Sequence, residues 1–248
     1  FIAFSLIASS VYIVNDLLDL NSDRAHPYKK LRPFASGAVS TQNGFTYFLI
    51  LFISSVILSL YIGINFFLLI LSYWIFNLIY SLIFKKIPLL DLFVLALLYT
   101  SRVLAGGLAT DIEISIWLFA FAFFFFFSLA SVKRCSELTN IKNRKTKLVG
   151  RDYNADDLPI LNILAWSSGF ISILVAVLYI NSPDVFMLYR KPELLLGICI
   201  VLLLWLIKII LDSKRGMIKI DPIIYALRDK YSWVCLMFIV SILYLNFI

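Results

Sequence analysis

Apolar segments of about 20 residues with almost no charge recur along the chain, and no other feature limits its fold so strongly. An α-helix needs about 20 apolar residues to cross the hydrocarbon core of a bilayer. A water-soluble chain with 62% apolar and 15% charged residues would lack the polar side chains needed to cover its surface. The sequence therefore predicts an all-α polytopic membrane helix bundle. Eight spans are predicted, near Phe1–Val14, Phe45–Gly63, Phe66–Phe84, Leu90–Leu108, Ile114–Val132, Pro159–Ile180, Leu194–Leu211 and Ser232–Ile248.

The first predicted span is short, and it begins abruptly without an initiator Met. It also lacks the basic lead and the small-residue cleavage site of a signal peptide. We therefore expect the chain to be part of a longer protein, with its first span truncated at Phe1.

The basic residues follow a topological pattern. Alternate connections hold 19 of the 22 Lys and Arg residues, and the positive-inside rule assigns these connections to the cytoplasm. They are the segments Asn15–Gly44, Lys85–Leu89, Lys133–Leu158 and Lys208–Tyr231. The net charge of +7 thus reflects membrane orientation, and nucleic-acid binding is not expected. Because two of these connections are long enough to be functional loops, we expect an active site that faces the cytoplasm.

Three carboxylates follow the first span. Asp16, Asp19 and Asp23 stand at i, i+3 and i+7, so a continuous helix would place them on one face. They would repel one another at the negative end of the helix dipole unless a cation were bound. Oxygen ligands without His or Cys select a hard ion such as Mg²⁺, which in turn prefers phosphate oxygens as further ligands. The alternative is a solvated helix end whose acids are balanced by the nearby Lys and Arg residues.

The segment His26–Gly37 places fixed positive charges next to these acids. Lys29 and Arg32 are suited to neutralise a departing diphosphate beside a metal ion. Pro27 and Pro33 stiffen the loop. His26 is interpreted as a hydrogen-bonding loop residue rather than as a ligand or a base.

The segment Asn15-Asp16-Leu17-Leu18-Asp19-Leu20-Asn21-Ser22-Asp23 resembles the N-D-x-x-D-x-x-x-D motif of the UbiA superfamily of intramembrane prenyltransferases. The resemblance implies that Asp16, Asp19 and Asp23 bind Mg²⁺ and act in catalysis, with Asn15 in support. It also implies a single UbiA-type domain over residues 1–248. That family has nine helices, of which eight would be present here, and the expected location is the bacterial inner membrane.

Within that superfamily, residues 11–138 are similar to decaprenyl-phosphate phosphoribosyltransferases. The shared segments are His26–Gly37, Arg102–Gly107 and Lys133–Leu138. The later segment Gly150-Arg151-Asp152-Tyr153 resembles other bacterial relatives, some of which carry a phosphatase-like domain before the membrane part. Such a partner domain is therefore an expectation for the longer protein.

Three further residues are candidates for substrate contact. Tyr80 and Lys85 close the third span, where family members have a similar Tyr and Lys in the diphosphate pocket; the alternative is an interfacial aromatic and a snorkelling lysine. Arg102 lies 11 residues beyond Asp91, which is about 16 Å deeper on a helix. A charge at that depth requires a polar cavity or a partner. Binding an anionic substrate and pairing within the structure remain open for Arg102.

The second long loop opens with Lys133, Arg134 and Glu137. Aromatic prenyltransferases carry a second aspartate-rich motif there, whereas this chain has only Glu137 at the helix end and a D-x-x-x-D spacing at Asp152 and Asp156. That departure leaves the number of metal ions open. It also suits a site that binds a sugar phosphate through Lys133 and Arg134.

The sequence thus predicts a Mg²⁺-dependent membrane transferase that cleaves a diphosphate donor. The preferred reaction transfers phosphoribose from phosphoribosyl diphosphate to a polyprenyl phosphate. The alternative attaches a polyprenyl chain from its diphosphate to an aromatic or other acceptor. A transporter is a more remote alternative, because charged residues within the spans are limited to Arg102.

Overall fold

The computed structural model describes residues 1–25, 29–140, 151–183, 185, 189–219 and 221–247. Its regular elements are all helical over these ranges, as the sequence predicts. The α-helices are α1 (Ile2–Leu18), α2 (Leu20–Ala25), α3 (Thr41–Ile62), α4 (Ile64–Leu82), α5 (Leu90–Thr110), α6 (Ile116–Thr139), α7 (Leu158–Ile180), α8 (Leu195–Lys214), α9 (Pro222–Arg228) and α10 (Lys230–Phe247).

Eight of these helices stand where membrane spans are predicted. Six of them, α3 to α8, are long and apolar enough to cross a bilayer. The helices α1 and α10 are apolar but shorter. The prediction of an all-α membrane bundle is therefore confirmed within the described part of the chain.

The chain forms two compact units. The first consists of Phe1–Val94, Thr100–Ile114 and Val149–Arg151, and the second consists of Leu95–Tyr99, Ser115–Leu148 and Asp152–Ile248. In the first unit, α1 packs against α3 and α4. The hydroxyl of Ser55 on α3 donates to the carbonyl of Ala3 on α1 at 2.7 Å, which holds the two helices together at a buried position.

The second unit packs α6, α7 and α8 around one apolar core, with α10 against α8. Small residues allow α6 and α7 to approach closely. The Ser128 hydroxyl donates to the carbonyl of Ala165 at 2.7 Å. A methyl group added to Gly169 would lie 3.1 Å from the Ser128 hydroxyl oxygen, so this position accommodates little more than hydrogen.

The predicted continuous helix through the three carboxylates is wrong. Helix α1 ends at Leu18, and Asp19 has ψ near 0° before α2 begins at Leu20. The amide nitrogens of Asp19 and Asp23 still donate to carbonyls four residues earlier, so the chain bends without unravelling. Asp19 thus lies at the junction between α1 and α2.

The sequence also places the end of the fifth span too early. Helix α6 continues past Val132 to Thr139, so Lys133, Arg134 and Glu137 lie on its last two turns rather than in a loop. Val132, Cys135 and Leu138 recur every third residue and are buried. Burial of this apolar stripe stabilises the last two turns of α6, although most of their other side chains are polar.

Candidate active site

Two of the three predicted metal-binding acids meet at one cation. Arg32 Nη1 lies 2.8 Å from Asp16 Oδ1 and 2.8 Å from Asp23 Oδ2. The two carboxylate oxygens therefore lie no more than twice that distance apart. The Asp23 side chain is only 4% exposed, and a buried carboxylate requires such a partner because burial penalises its charge. The seven-residue spacing of Asp16 and Asp23 in the sequence thus agrees with the short distance between their carboxylates.

The loop that carries Arg32 is fixed on α3. Phe34, two residues further on, is buried, and its ring lies against Gly44 in the first turn of α3. A methyl group added to Gly44 would approach Phe34 Cε1 to 2.5 Å. The absence of a side chain at Gly44 thus allows the loop to lie close to the helix.

The third acid has a different partner. Lys85 Nζ lies 2.8 Å from Asp19 Oδ1, in the short 3₁₀ turn Phe84–Lys86 that follows α4. The Ser81 hydroxyl at the end of α4 donates to the side-chain oxygen of Asn15. The end of α4 therefore holds both Asn15 and Asp19, which explains why residues 66 positions apart in sequence meet here.

The carboxylates do not form a ready-made metal cluster. Throughout the described ranges, no three Asp, Glu, His or Cys side chains lie close enough together to hold a metal ion. Each of the three acids is instead paired with an Arg or a Lys. The first unit thus keeps the three predicted acids next to two of the predicted phosphate-binding cations, so their negative charge is partly compensated.

One buried ion pair of the first unit lies outside the predicted site residues. Asp91, in the first turn of α5, is fully buried, and one of its carboxylate oxygens lies 3.5 Å from Arg151 Nε. Leu89, just before α5, has φ of 67°, a conformation that costs a side chain about 1 kcal/mol or more. Two sequence features mark the residues of this pair. Pro88 lies just before the turn that leads to Asp91, and Arg151 lies in the Gly-Arg-Asp-Tyr segment that resembles other bacterial relatives.

Tyr80 and Arg102 occupy separate places in the first unit. Tyr80 is buried near the end of α4. Arg102 lies over the ring of Phe4, with 6.0 Å between its guanidinium carbon and the ring centroid. It lines a cavity of about 570 Å³ together with residues of α1 and α5 and with Phe66 of α4. Arg102 therefore lines a cavity, and its contact with an anionic substrate stays a prediction.

The second unit contains the other predicted phosphate-binding residues. Lys133 Nζ lies 2.6 Å from Asp221 Oδ2. Arg134 Nη1 lies 2.7 Å from Glu137 Oε2 on the same helix, and the Arg134 side chain is fully buried. Arg134 and Glu137 thus form an ion pair within α6 in which the arginine is buried and the glutamate is partly exposed. Lys133 is partly exposed and is the more accessible of the two cations.

A polar network at the end of α8 was not predicted. Lys208 Nζ lies 2.7 Å from Asp212 Oδ2 and 3.0 Å from Asp229 Oδ2. The Tyr225 hydroxyl donates to Asp212 at 3.0 Å, and burial together with this carboxylate raises the Tyr225 pKa. Burial opposes ionisation of Asp229, but hydrogen bonds from Lys208 and Ser232 outweigh it and lower the Asp229 pKa. The network therefore favours the ionised form of Asp229.

Several predicted residues lie outside the described part. They are His26, Pro27 and the side chain of Lys29. The basic residues of the second long loop between positions 141 and 150 are also outside it. Their roles stay predictions.

The sequence model of the UbiA prenyltransferase family matches residues 1–215. The chain belongs to the UbiA family. The resemblance based on the N-D-x-x-D-x-x-x-D motif is therefore confirmed, and the paired acids Asp16, Asp19 and Asp23 lie within the matched region.

Individual relatives of this UbiA-family chain are moderately similar. It is 37% identical over 94% of its length to the uncharacterized protein y4nM of Sinorhizobium fredii. It is 33% identical over 96% of its length to the nodulation protein NoeC of Azorhizobium caulinodans. It is also 33% identical, over 59% of its length, to the decaprenyl-phosphate phosphoribosyltransferase of Mycolicibacterium smegmatis.

The relatives differ in how much of their own length is matched. The alignments cover 46% of y4nM, 78% of NoeC and 48% of the mycobacterial phosphoribosyltransferase. The chain thus spans about half the length of two of these three relatives.

Proposed function

We propose that this UbiA-family chain is a Mg²⁺-dependent transferase that moves phosphoribose from phosphoribosyl diphosphate to a polyprenyl phosphate. The pairing of three motif acids with Arg32 and Lys85 is the observation that carries the proposal. It keeps side chains suited to a divalent cation directly beside side chains suited to a diphosphate. The similarity to decaprenyl-phosphate phosphoribosyltransferases supports this donor and acceptor.

The donor set suits Mg²⁺. Asp16, Asp19 and Asp23 offer only oxygen atoms, and Asp16 and Asp23 are already close to each other at Arg32. Hard oxygen ligands and a partial protein shell are what Mg²⁺ prefers. Bound there, the ion would polarise the donor diphosphate and stabilise the charge that develops on it. We propose that these three residues hold the ion, with Asn15 orienting the first of them.

The cations would change partners when substrate binds. Arg32 and Lys85 now pair with the acids. With those acids serving as metal ligands, both cations would be available for phosphate oxygens. An oxygen of the acceptor phosphate then forms a bond to the anomeric carbon of ribose, while the bond from that carbon to the diphosphate breaks. The electron pair leaves with the diphosphate, which Arg32 and Lys85 stabilise as positive side chains.

Transfer of a polyprenyl chain from its diphosphate is the second candidate. The description of the matching family as prenyltransferases favours it. It would use the same acids and cations, because the leaving group is again a diphosphate. The two candidates therefore differ in the group that is transferred rather than in how the leaving group is stabilised.

Labelled donors distinguish the two reactions. Membranes containing the chain are incubated with Mg²⁺, polyprenyl phosphate and phosphoribosyl diphosphate labelled in the ribose, and lipid-soluble label is measured. Our proposal predicts labelled lipid, at a level lost in membranes carrying Asp16→Asn. Label transfer only from a prenyl diphosphate to an aromatic acceptor would replace the proposal with the second candidate, and the absence of transfer from either donor would reject both.

A further inference from the structure

The Lys133 ion pair joins α6 to the segment between α8 and α9. Asp221 is the N-cap residue of α9, and its Oδ1 accepts a hydrogen bond from the Ile223 amide at 3.0 Å. Its other oxygen, Oδ2, lies 2.6 Å from Lys133 Nζ. The two carboxylate oxygens thus have separate roles, one toward the helix end and one toward the lysine.

The backbone before Asp221 is anchored independently of Lys133. Asn140 Nδ2 donates to the carbonyl of Ile218 at 2.8 Å, and the Ile218 side chain is fully buried. The Ser213 hydroxyl donates to the carbonyl of Val132 at 3.1 Å. These contacts hold Ser213 and Ile218 against α6 without the ion pair, so a change at the Asp221 carboxylate should leave this anchoring in place.

We propose that Asp221 is a positioning residue that acts through Lys133: its carboxylate is the resting counter-ion that a substrate phosphate replaces. This inference rests on the proposed function and adds Lys133, which the sequence predicts to contact a sugar phosphate, to its phosphate-binding cations. A partly buried ammonium is unfavourable without an anion, so Lys133 keeps Asp221 until phosphate arrives. Since the exchange breaks an existing pair, Asp221 weakens substrate binding and favours release of the phosphate product.

The test measures phosphate affinity in the full chain in detergent, with Mg²⁺ present. The variant Asp221→Asn keeps the helix cap, because Asn is as good an N-cap as Asp, but removes the competing charge. We expect it to bind about threefold to tenfold more tightly. Pyrophosphate is the probe for the donor, and a short-chain prenyl monophosphate is the probe for the acceptor. The probe whose affinity rises identifies the phosphate that Lys133 binds.

Two further variants separate this role from a structural one. Asp229→Asn makes the same change in the same connection, at an acid that pairs with Lys208 and caps α10, and its phosphate affinity should equal that of the unmodified chain. Lys133→Gln should bind more weakly, and adding Asp221→Asn to it should produce no further change.

Each result bears on the inference. If Asp221→Asn leaves both affinities unchanged or lowers them, or if its gain persists in the Lys133→Gln background, the inference is wrong while the proposed function stands. An equal gain in Asp229→Asn would also overturn it, because the effect would then be one of general charge. If the unmodified chain binds neither probe, the proposed function fails and the inference fails with it.

Discussion

At the scale of single residues, the arrangement of Asp16 and Asp19 predicts that neutralising either acid removes turnover. The variants Asp16→Asn and Asp19→Asn keep the size of the side chain. They leave only one oxygen atom, and no negative charge, to bind a hard cation. We expect transfer activity to fall by at least about 100-fold, as for loss of a principal electrostatic group. Membrane insertion and thermal stability should remain close to those of the unmodified chain.

Asp111 provides a matched control for the Asp16→Asn and Asp19→Asn variants. Asp111 follows the end of α5, is exposed and has φ of 53°, a conformation that Asn adopts readily. The variant Asp111→Asn should keep full activity. Equal loss in Asp111→Asn, or full activity in both site variants, would contradict the assigned role of Asp16 and Asp19.

Arg32 provides a second prediction at this scale. Replacing it in Arg32→Gln leaves Asp16 and Asp23 close together without the cation that now separates them. Added Mg²⁺ should therefore raise the melting temperature of Arg32→Gln by about 2–4 °C more than that of the unmodified chain. Lys86→Gln removes one positive charge from an exposed neighbouring position and should respond like the unmodified chain. An identical Mg²⁺ response in all three proteins would argue against a metal site at these acids.

At the scale of elements, the connection between α3 and α4 is restricted to one residue. Gly63 lies between them with φ of 155° and ψ of 158°, a region open almost only to glycine. No heavy atom lies within 4 Å of the position of an added methyl group, so the cost of a side chain is confined to the backbone. Gly63→Ala should therefore reduce stability by about 1–3 kcal/mol, measured by thermal unfolding in detergent.

Gly106 provides the control for the Gly63→Ala variant. It lies inside α5, and an added methyl group would also meet nothing within 4 Å. Because Ala favours a helix interior over Gly, Gly106→Ala should be neutral or slightly stabilising. If both variants lose stability equally, backbone conformation at Gly63 is not the cause.

At the scale of the whole molecule, the basic loops predict the orientation in the membrane. Gln42 lies just inside α3, after the first basic loop, and Glu113 lies in the connection after α5 that has no Lys or Arg; both are exposed. Single cysteines at these positions should react with an impermeant maleimide from opposite sides, Gln42→Cys from the cytoplasm and Glu113→Cys from outside. The native cysteines are buried and provide the unlabelled background. Labelling of both positions from one side would contradict the predicted topology.

The helices were predictable because long apolar runs have few alternatives to spanning a membrane. Their ends were less so: the last turns of α6 are polar in composition, and burial of Cys135 and Leu138 together with the Arg134–Glu137 ion pair extends the helix beyond the apolar run. The acids of the motif were found from their spacing. The partner of Lys133 was not, because Asp221 is 88 residues away and no local pattern relates the two.

The single-residue turn at Gly63 has a consequence for how the protein reaches its membrane. Two apolar helices of 22 and 19 residues follow each other with one glycine between them. No hydrophilic stretch has to be carried through the hydrocarbon interior, so the pair is suited to leave the insertion machinery together as a hairpin. Insertion of this helix pair would then be driven by partitioning of its apolar side chains, with no charge to be moved to the far side.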